Sequence, residues 1–160
     1  MFGEIHGRSA FSFLSGAMQP EELVQKCAEL EIPAVAQLDL NNLAGMPRFY
    51  KEAVKAGIKP IIGAEVRLWD DSVVPLIVEN KRGYRSLCRL LSHIGLSAPK
   101  GEARAAFDDL EEYSEGLICL AGSPATEFFA GGGEPDAARI ASRIGQLAGI
   151  YGAASTFVEL

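Results

Sequence analysis

Short apolar runs alternate with amphipathic stretches along almost the whole chain, and proline or glycine stands at most of the joints. That order is the pattern of a β/α protein, in which strands are followed by helices that cover them. It predicts strands at 2–6 (FGEIH), 33–39 (PAVAQLD), 59–68 (KPIIGAEVRL), 73–79 (VVPLIVE) and 116–121 (GLICLA), and a last one in TFVEL. Pro20 takes a first helical position, with Glu21 and Glu22 in the turn where carboxylates favour the positive helix end. Leu23, Val24, Cys27, Ala28 and Leu30 then share a face. Pro47 opens the next helix, with Phe49, Tyr50, Ala53 and Val54 expected on its buried side and Gly57 just past its end. Asn80 is the expected cap of a helix carrying Tyr84, Leu87, Cys88, Leu91 and Ile94. An acidic helical turn around Phe107–Tyr113, a small helix near 125–130, the triplet Gly131–Gly133 and a Pro135-led helix to Gly149 complete the series.

A chain of 160 residues allows one domain or a piece of a larger one. With 48% hydrophobic and 22% charged residues, intrinsic disorder is excluded. No apolar run approaches the roughly 18 residues of a membrane span, and the N-terminus lacks a signal-peptide pattern. A cytoplasmic protein with no membrane partner is therefore expected. Cys27, Cys88 and Cys119 are odd in number and far apart, which reads as buried free thiols rather than disulfides or a metal site. The net charge of −6 argues against a duplex nucleic-acid binder. That charge is unevenly placed: residues 1–100 hold 12 basic and 11 acidic side chains, and residues 101–160 hold 3 and 10.

Active sites of β/α proteins lie at the C-terminal strand ends. His6 ends the first strand, Asp39 ends the second and Glu65 lies late in the third. Converging at one rim, they would suit a divalent metal such as Zn or Mn. From spacing alone, the balance favours structural roles: a strand-end cap, a turn cap and an ion-pair partner.

The surrounding sequence sharpens this. "EIHGRSAFSFLSGA", "AQLDLNNLAG" and "IKPIIGAEV" resemble the opening of the polymerase and histidinol phosphatase (PHP) domain, in the version at the N-terminus of bacterial DNA polymerase III alpha subunits and their error-prone paralogues. "ENKRGYRSLCRLLS", "EEYSEGLICLAGS" and "GEPDAARIASRIGQLAG" before "TFVEL" are similar to further stretches of those subunits. The resemblance implies an α/β fold, a distorted seven-stranded (β/α) barrel of PHP type. A series that stops inside its last strand reads as an incomplete barrel, its N-terminal part, either belonging to a longer protein or covering an edge by oligomerising. The resemblance divides the chain into a core with metal-motif remnants at 1–69, a polymerase-type continuation at 70–130, and a linker, helix and strand at 131–160.

The family's trinuclear cleft implies ligands that this sequence largely lacks. His6, Asp39 and Glu65 are the remnant metal positions. The second opening histidine is Arg8, an expected aspartate is Ser15, the histidine of the Asp-His pair is Leu40, a strand histidine falls near Val73, and a cysteine position is Ser123. Arginine stays protonated and offers no lone pair, and leucine has no donor atom. No metal cofactor is expected, and a single weakly held ion at His6, Asp39 and Glu65 is the most the set allows. No Ser-His-Asp arrangement replaces the metal, since His93 sits on a predicted helix. Arg8 is expected to supply the missing positive charge through contact with Asp39 or Glu65, with Leu40 filling vacated space.

The resulting expectation is a degenerate, noncatalytic PHP domain of a polymerase III alpha-type, error-prone protein, structural in role during DNA replication or repair synthesis. Its partners would be other polymerase domains or replication and repair proteins, with DNA met indirectly. Two alternatives stand beside it: a Zn- or Mn-dependent phosphoesterase or 3′-5′ proofreading exonuclease, and a phosphate- or nucleotide-binding module acting through Arg8. Lys81, Arg82, Arg85 and Arg89 read as a solvated helix face or domain contact before a phosphate track. Phe11 and Phe13 read as loop packing before base stacking, and Gly131–Gly133 as a linker because no GK[ST] follows.

Overall fold

A computed structural model describes residues 3–121 and 137–159. Contacts divide the chain into two compact units, Met1–Glu65 and Val66–Leu160.

The first unit is parallel β/α. Strand β1 (Glu4–Gly7) pairs with β2 (Ala34–Leu40), and β2 pairs with β3 (Lys59–Arg67), whose last two residues fall in the second unit. The connecting helices are α1 (Pro20–Glu29) and α2 (Met46–Ala56). Pro20 begins α1, and Glu22 reaches back to the Gln19 backbone N–H at 2.7 Å, satisfying a donor the helix leaves open. Helix α2 ends at Gly57 with φ 71°, a left-handed conformation that glycine adopts without penalty. Leu23, Val24 and Cys27 of α1 meet Met46, Phe49 and Ala53 of α2, and Val35 and Ile58 join the same core. The buried stripe of α2 is narrower than its sequence suggests. Tyr50 and Val54 are exposed, as is Leu30 after α1, because Met46, Phe49 and Ala53 alone follow the packing row.

The second unit holds β4 (Val73–Val78), α3 (Lys81–Leu96), α4 (Phe107–Glu112), β5 (Leu117–Ala121), α5 (Ala137–Tyr151) and β6 (Thr156–Val158). Strand β4 runs antiparallel to β5, whereas β5 and β6 are parallel, so the regular β/α alternation is broken at β4. Asn80 caps α3 by accepting from the backbone N–H groups of Arg82 and Gly83 at 2.9 and 3.2 Å. Gly83 must be glycine: a Cβ there would stand 1.8 Å from the carbonyl oxygen of Gly116. Leu87, Leu90 and Ile94 carry the buried face of α3, while Tyr84 is exposed. Arg143 of α5 pairs with Asp70 and lies 5.0 Å from the Phe107 ring centroid.

Cys27 and Cys119 are buried and Cys88 half-buried, all three as free thiols. Burial pushes the Cys119 thiol up to about 12. Among the described residues no helix is long and apolar enough to cross a membrane. Ser123, the small helix near 125–130, Gly131–Gly133 and Pro135 lie outside the described residues.

Candidate functional site

The C-terminal ends of β1, β2 and β3 bring together most of the residues singled out in the sequence. The parallel register pairs Asp39 with Ala64 and Leu40 with Glu65. Paired residues share a face and successive residues alternate, so Glu65 lies on the face of Leu40, and Asp39 on the opposite face with Gln37.

On the first face, Glu65 Oε1 meets two cationic or polar groups: His6 Nε2 at 2.6 Å and Arg8 NH2 at 2.7 Å. The Glu65 side chain is 1% exposed, His6 14% and Arg8 21%, so this contact is largely shielded from water. Glu65 Oε2 is buried with no hydrogen-bond partner among the described residues. The backbone carbonyl of Glu65 accepts from the N–H of Asn41 at 2.8 Å, tying the loop after β2 to β3.

On the other face Asp39 is fully buried, and both of its oxygens are taken. The Ser9 backbone N–H and the Ser12 hydroxyl donate to Oδ1 at 2.8 and 2.7 Å. The Ser9 hydroxyl and Gln37 Nε2 donate to Oδ2 at 2.7 and 2.6 Å. Ser12 in turn accepts from the Leu40 N–H at 3.1 Å. The carboxylate therefore fastens the loop after β1 onto β2. Two glycines make room for this. A Cβ on Gly16 would stand 1.9 Å from the Ser9 carbonyl oxygen, and one on Gly45 would stand 2.5 Å from Gln37 Nε2.

Strand parity thus brings His6 and Arg8 to Glu65 and gives Asp39 a separate network. Ser15 is exposed on the loop, its N–H donating to the Ser12 carbonyl at 2.9 Å. Leu40 is half-buried. Val73 opens β4 in the second unit and is buried. Ser9, Ser12 and Gln37 were not among the site residues expected from sequence. A small polar residue in a loop carries no periodic signal, although a glutamine two residues before Asp39 in an otherwise apolar strand was a visible hint.

The family model of the PHP domain matches residues 4–160. The chain belongs to the PHP domain family. It is 39% identical over 137 residues to an error-prone DNA polymerase of Bdellovibrio bacteriovorus, covering 79% of this chain and 13% of that protein. It is 36% identical over 137 residues to the DNA polymerase III subunit alpha of Buchnera aphidicola, covering 79% of this chain and 12% of that protein. This PHP chain therefore spans about an eighth of such curated relatives. Among solved structures, a two-domain protein of Bacteroides vulgatus containing a predicted PHP-like metal-dependent phosphoesterase matches with TM-score 0.58 at 14% identity, over 87% of this chain and 39% of that one. That likeness establishes the α/β fold of PHP type.

Among the described residues, the donors at these strand ends do not fit a multinuclear metal cluster. Arg8 has no lone pair and occupies Glu65 Oε1, Leu40 has no donor atom, and both Asp39 oxygens are engaged by N–H and O–H groups. Among the described residues no group of three or more His, Cys, Asp or Glu side chains is arranged to hold a metal.

Proposed function

We propose that this PHP domain is noncatalytic and serves as a structural module of an error-prone or polymerase III alpha-type protein in DNA replication or repair synthesis. The observation that carries this reading is the Arg8 guanidinium 2.7 Å from Glu65 Oε1, at a position where the family resemblance implies a metal-binding histidine. A guanidinium beside a buried carboxylate supplies the positive charge that a cation otherwise provides, and without it the Glu65 carboxylate would keep, among the described residues, only His6. Hydrolysis of a phosphoester at neutral pH needs an activated water or another nucleophile, and Arg8 and Leu40 can prepare neither. The curated relatives, themselves DNA polymerases, suggest other polymerase domains as the neighbours this module supports, in a cytoplasmic setting. Residues 1–69, 70–130 and 131–160 are the proposed core, polymerase-type continuation and terminal segment.

Elemental analysis after incubation with Zn and Mn, together with hydrolysis of a generic phosphodiester, tests this. The expected result is less than one ion per chain and no turnover. An Arg8→His, Leu40→His double variant, which returns two donors to the face of Glu65, should raise Zn affinity by at least about tenfold, the scale on which ligands act. Two or more tightly held ions in the unaltered chain, with turnover that chelation abolishes and added metal restores, would establish the phosphoesterase reading instead. Thermal stabilisation by phosphate that disappears in Arg8→Ala would establish a phosphate-binding one.

A further inference from the structure

Helix α3 begins against its own electrostatics. Its first turn contains Lys81 and Arg82 and no acidic residue, although the N-terminal end of a helix favours negative charge. Arg82, Arg85 and Arg89 follow at spacings of three and four, which places them along one face. That face borders an open cavity of about 350 Å³, lined on the other side by Glu112, Tyr113 and Glu115.

The charges around the cavity are unequally committed. Arg82 pairs with Glu115 at 2.9 Å. Arg85 and Arg89 make no hydrogen bond or ion pair to any described residue, although guanidinium groups carry five donors each. Glu112 holds the Tyr113 hydroxyl above its ordinary pKa while Arg89 acts the other way, so the hydroxyl stays a donor beside Arg89. Tyr113 also offers an aromatic surface, packed at 5.9 Å against His93.

We propose that this cavity binds the phosphate group of a nucleotide unit through Arg85 and Arg89, with Tyr113 beside the base or sugar. Paired guanidinium forks match the oxygens of a phosphate. The bound anion would also offset the cationic first turn of α3. A volume near 350 Å³ is at the small end of ligand pockets and admits one nucleotide rather than a duplex, which agrees with the acidic net charge. The phosphate can come from a single-stranded backbone or from a free nucleotide.

Fluorescence anisotropy of a labelled ten-residue oligothymidylate with the full chain tests this, with AMP, inorganic phosphate and polyglutamate as competitors. Binding is expected at low salt, with a log–log salt slope between about −1 and −2 for two phosphate contacts. Arg85→Gln with Arg89→Gln should weaken it at least about tenfold, and Glu115→Gln, which releases Arg82, should tighten it about twofold to fivefold. Lys51→Gln with Lys59→Gln removes the same charge from exposed positions in the first unit and should change affinity less than about twofold. Competition by AMP assigns a free nucleotide, and resistance to AMP assigns the strand backbone. Should Arg85→Gln with Arg89→Gln melt early, Arg85→Lys provides the same test, because it keeps the charge and removes the fork. No binding of the oligothymidylate, equal loss in the two double variants, or displacement by polyglutamate in preference to AMP overturns the proposal.

Discussion

Asp39 and Glu65 lie on neighbouring parallel strands, one residue out of register and on opposite faces, and their surroundings differ in kind. Asp39 is held by four donors from uncharged groups, with both oxygens occupied. Glu65 has a cationic partner, Arg8, and a histidine on one oxygen, while its other oxygen is buried without a partner among the described residues. The first arrangement fixes a loop; the second neutralises a charge. Two acids of the same class at adjacent strand ends thus serve different ends because strand parity sends them to different neighbours.

Asp39→Ala leaves the Ser9 N–H and the Ser12 and Gln37 donors facing each other without an acceptor. At about 1–3 kcal/mol for each buried group left unpaired, the expected loss is about 3–5 kcal/mol in urea unfolding. A loss under about 1 kcal/mol would mean that the loop is fastened elsewhere. Arg8→Met should come next, at about 2–3 kcal/mol, because it strands a buried carboxylate that keeps only His6. Combining it with Glu65→Gln should recover much of that loss in a double-mutant cycle, and simple additivity would show that the pair is not coupled. Ser12→Ala removes one donor to Asp39 and the acceptor of the Leu40 N–H, and is expected to cost about 1–2 kcal/mol by the same unfolding measurement.

The smallest effect belongs to the same Arg–Glu chemistry placed in water. Arg48 Nε and NH2 meet the two carboxylate oxygens of Glu21 at 2.7 and 2.8 Å, and the pair is exposed. Arg48→Gln should leave the urea midpoint within about 0.2 M. The hydrogen bond from Arg48 lowers the Glu21 pKa, so whatever this pair contributes is present above the ordinary carboxylate pKa and fades as pH falls through the folded value. A midpoint that moved as far as in Arg8→Met would erase the distinction between shielded and solvated pairs.

Much of this arrangement is legible in the sequence. The Pro20 start of α1, the Gly57 end of α2 and the Asn80 cap of α3 follow from local chemistry, and each stands where the sequence puts it. His6, Arg8 and Glu65 were also visible, because charged groups at apolar strand ends stand out. Their separation from Asp39 was not, because it depends on the parity of the β2–β3 register, and a shift of one residue exchanges the faces. The donors around Asp39 were hidden for another reason. Serines are common in loops, and only the fold reveals that Ser9 and Ser12 are buried while Ser15 is exposed. The antiparallel β4 likewise has no local signature, since VVPLIV reads as a buried strand in either direction.

The loop after β1 closes on itself: the Ala10 N–H donates to the Met18 carbonyl at 2.7 Å, and Gly16 stacks on Ser9 with no room for a side chain. Its outermost residues, Phe13 and Leu14, are 85% and 90% exposed and take no part in that closure. Ser9, Ser12, Gly16 and Asp39 therefore behave as a clasp that could be transplanted as a set, leaving the tip as a site where residues can be exchanged, or a short insert grafted, without disturbing the strands beneath.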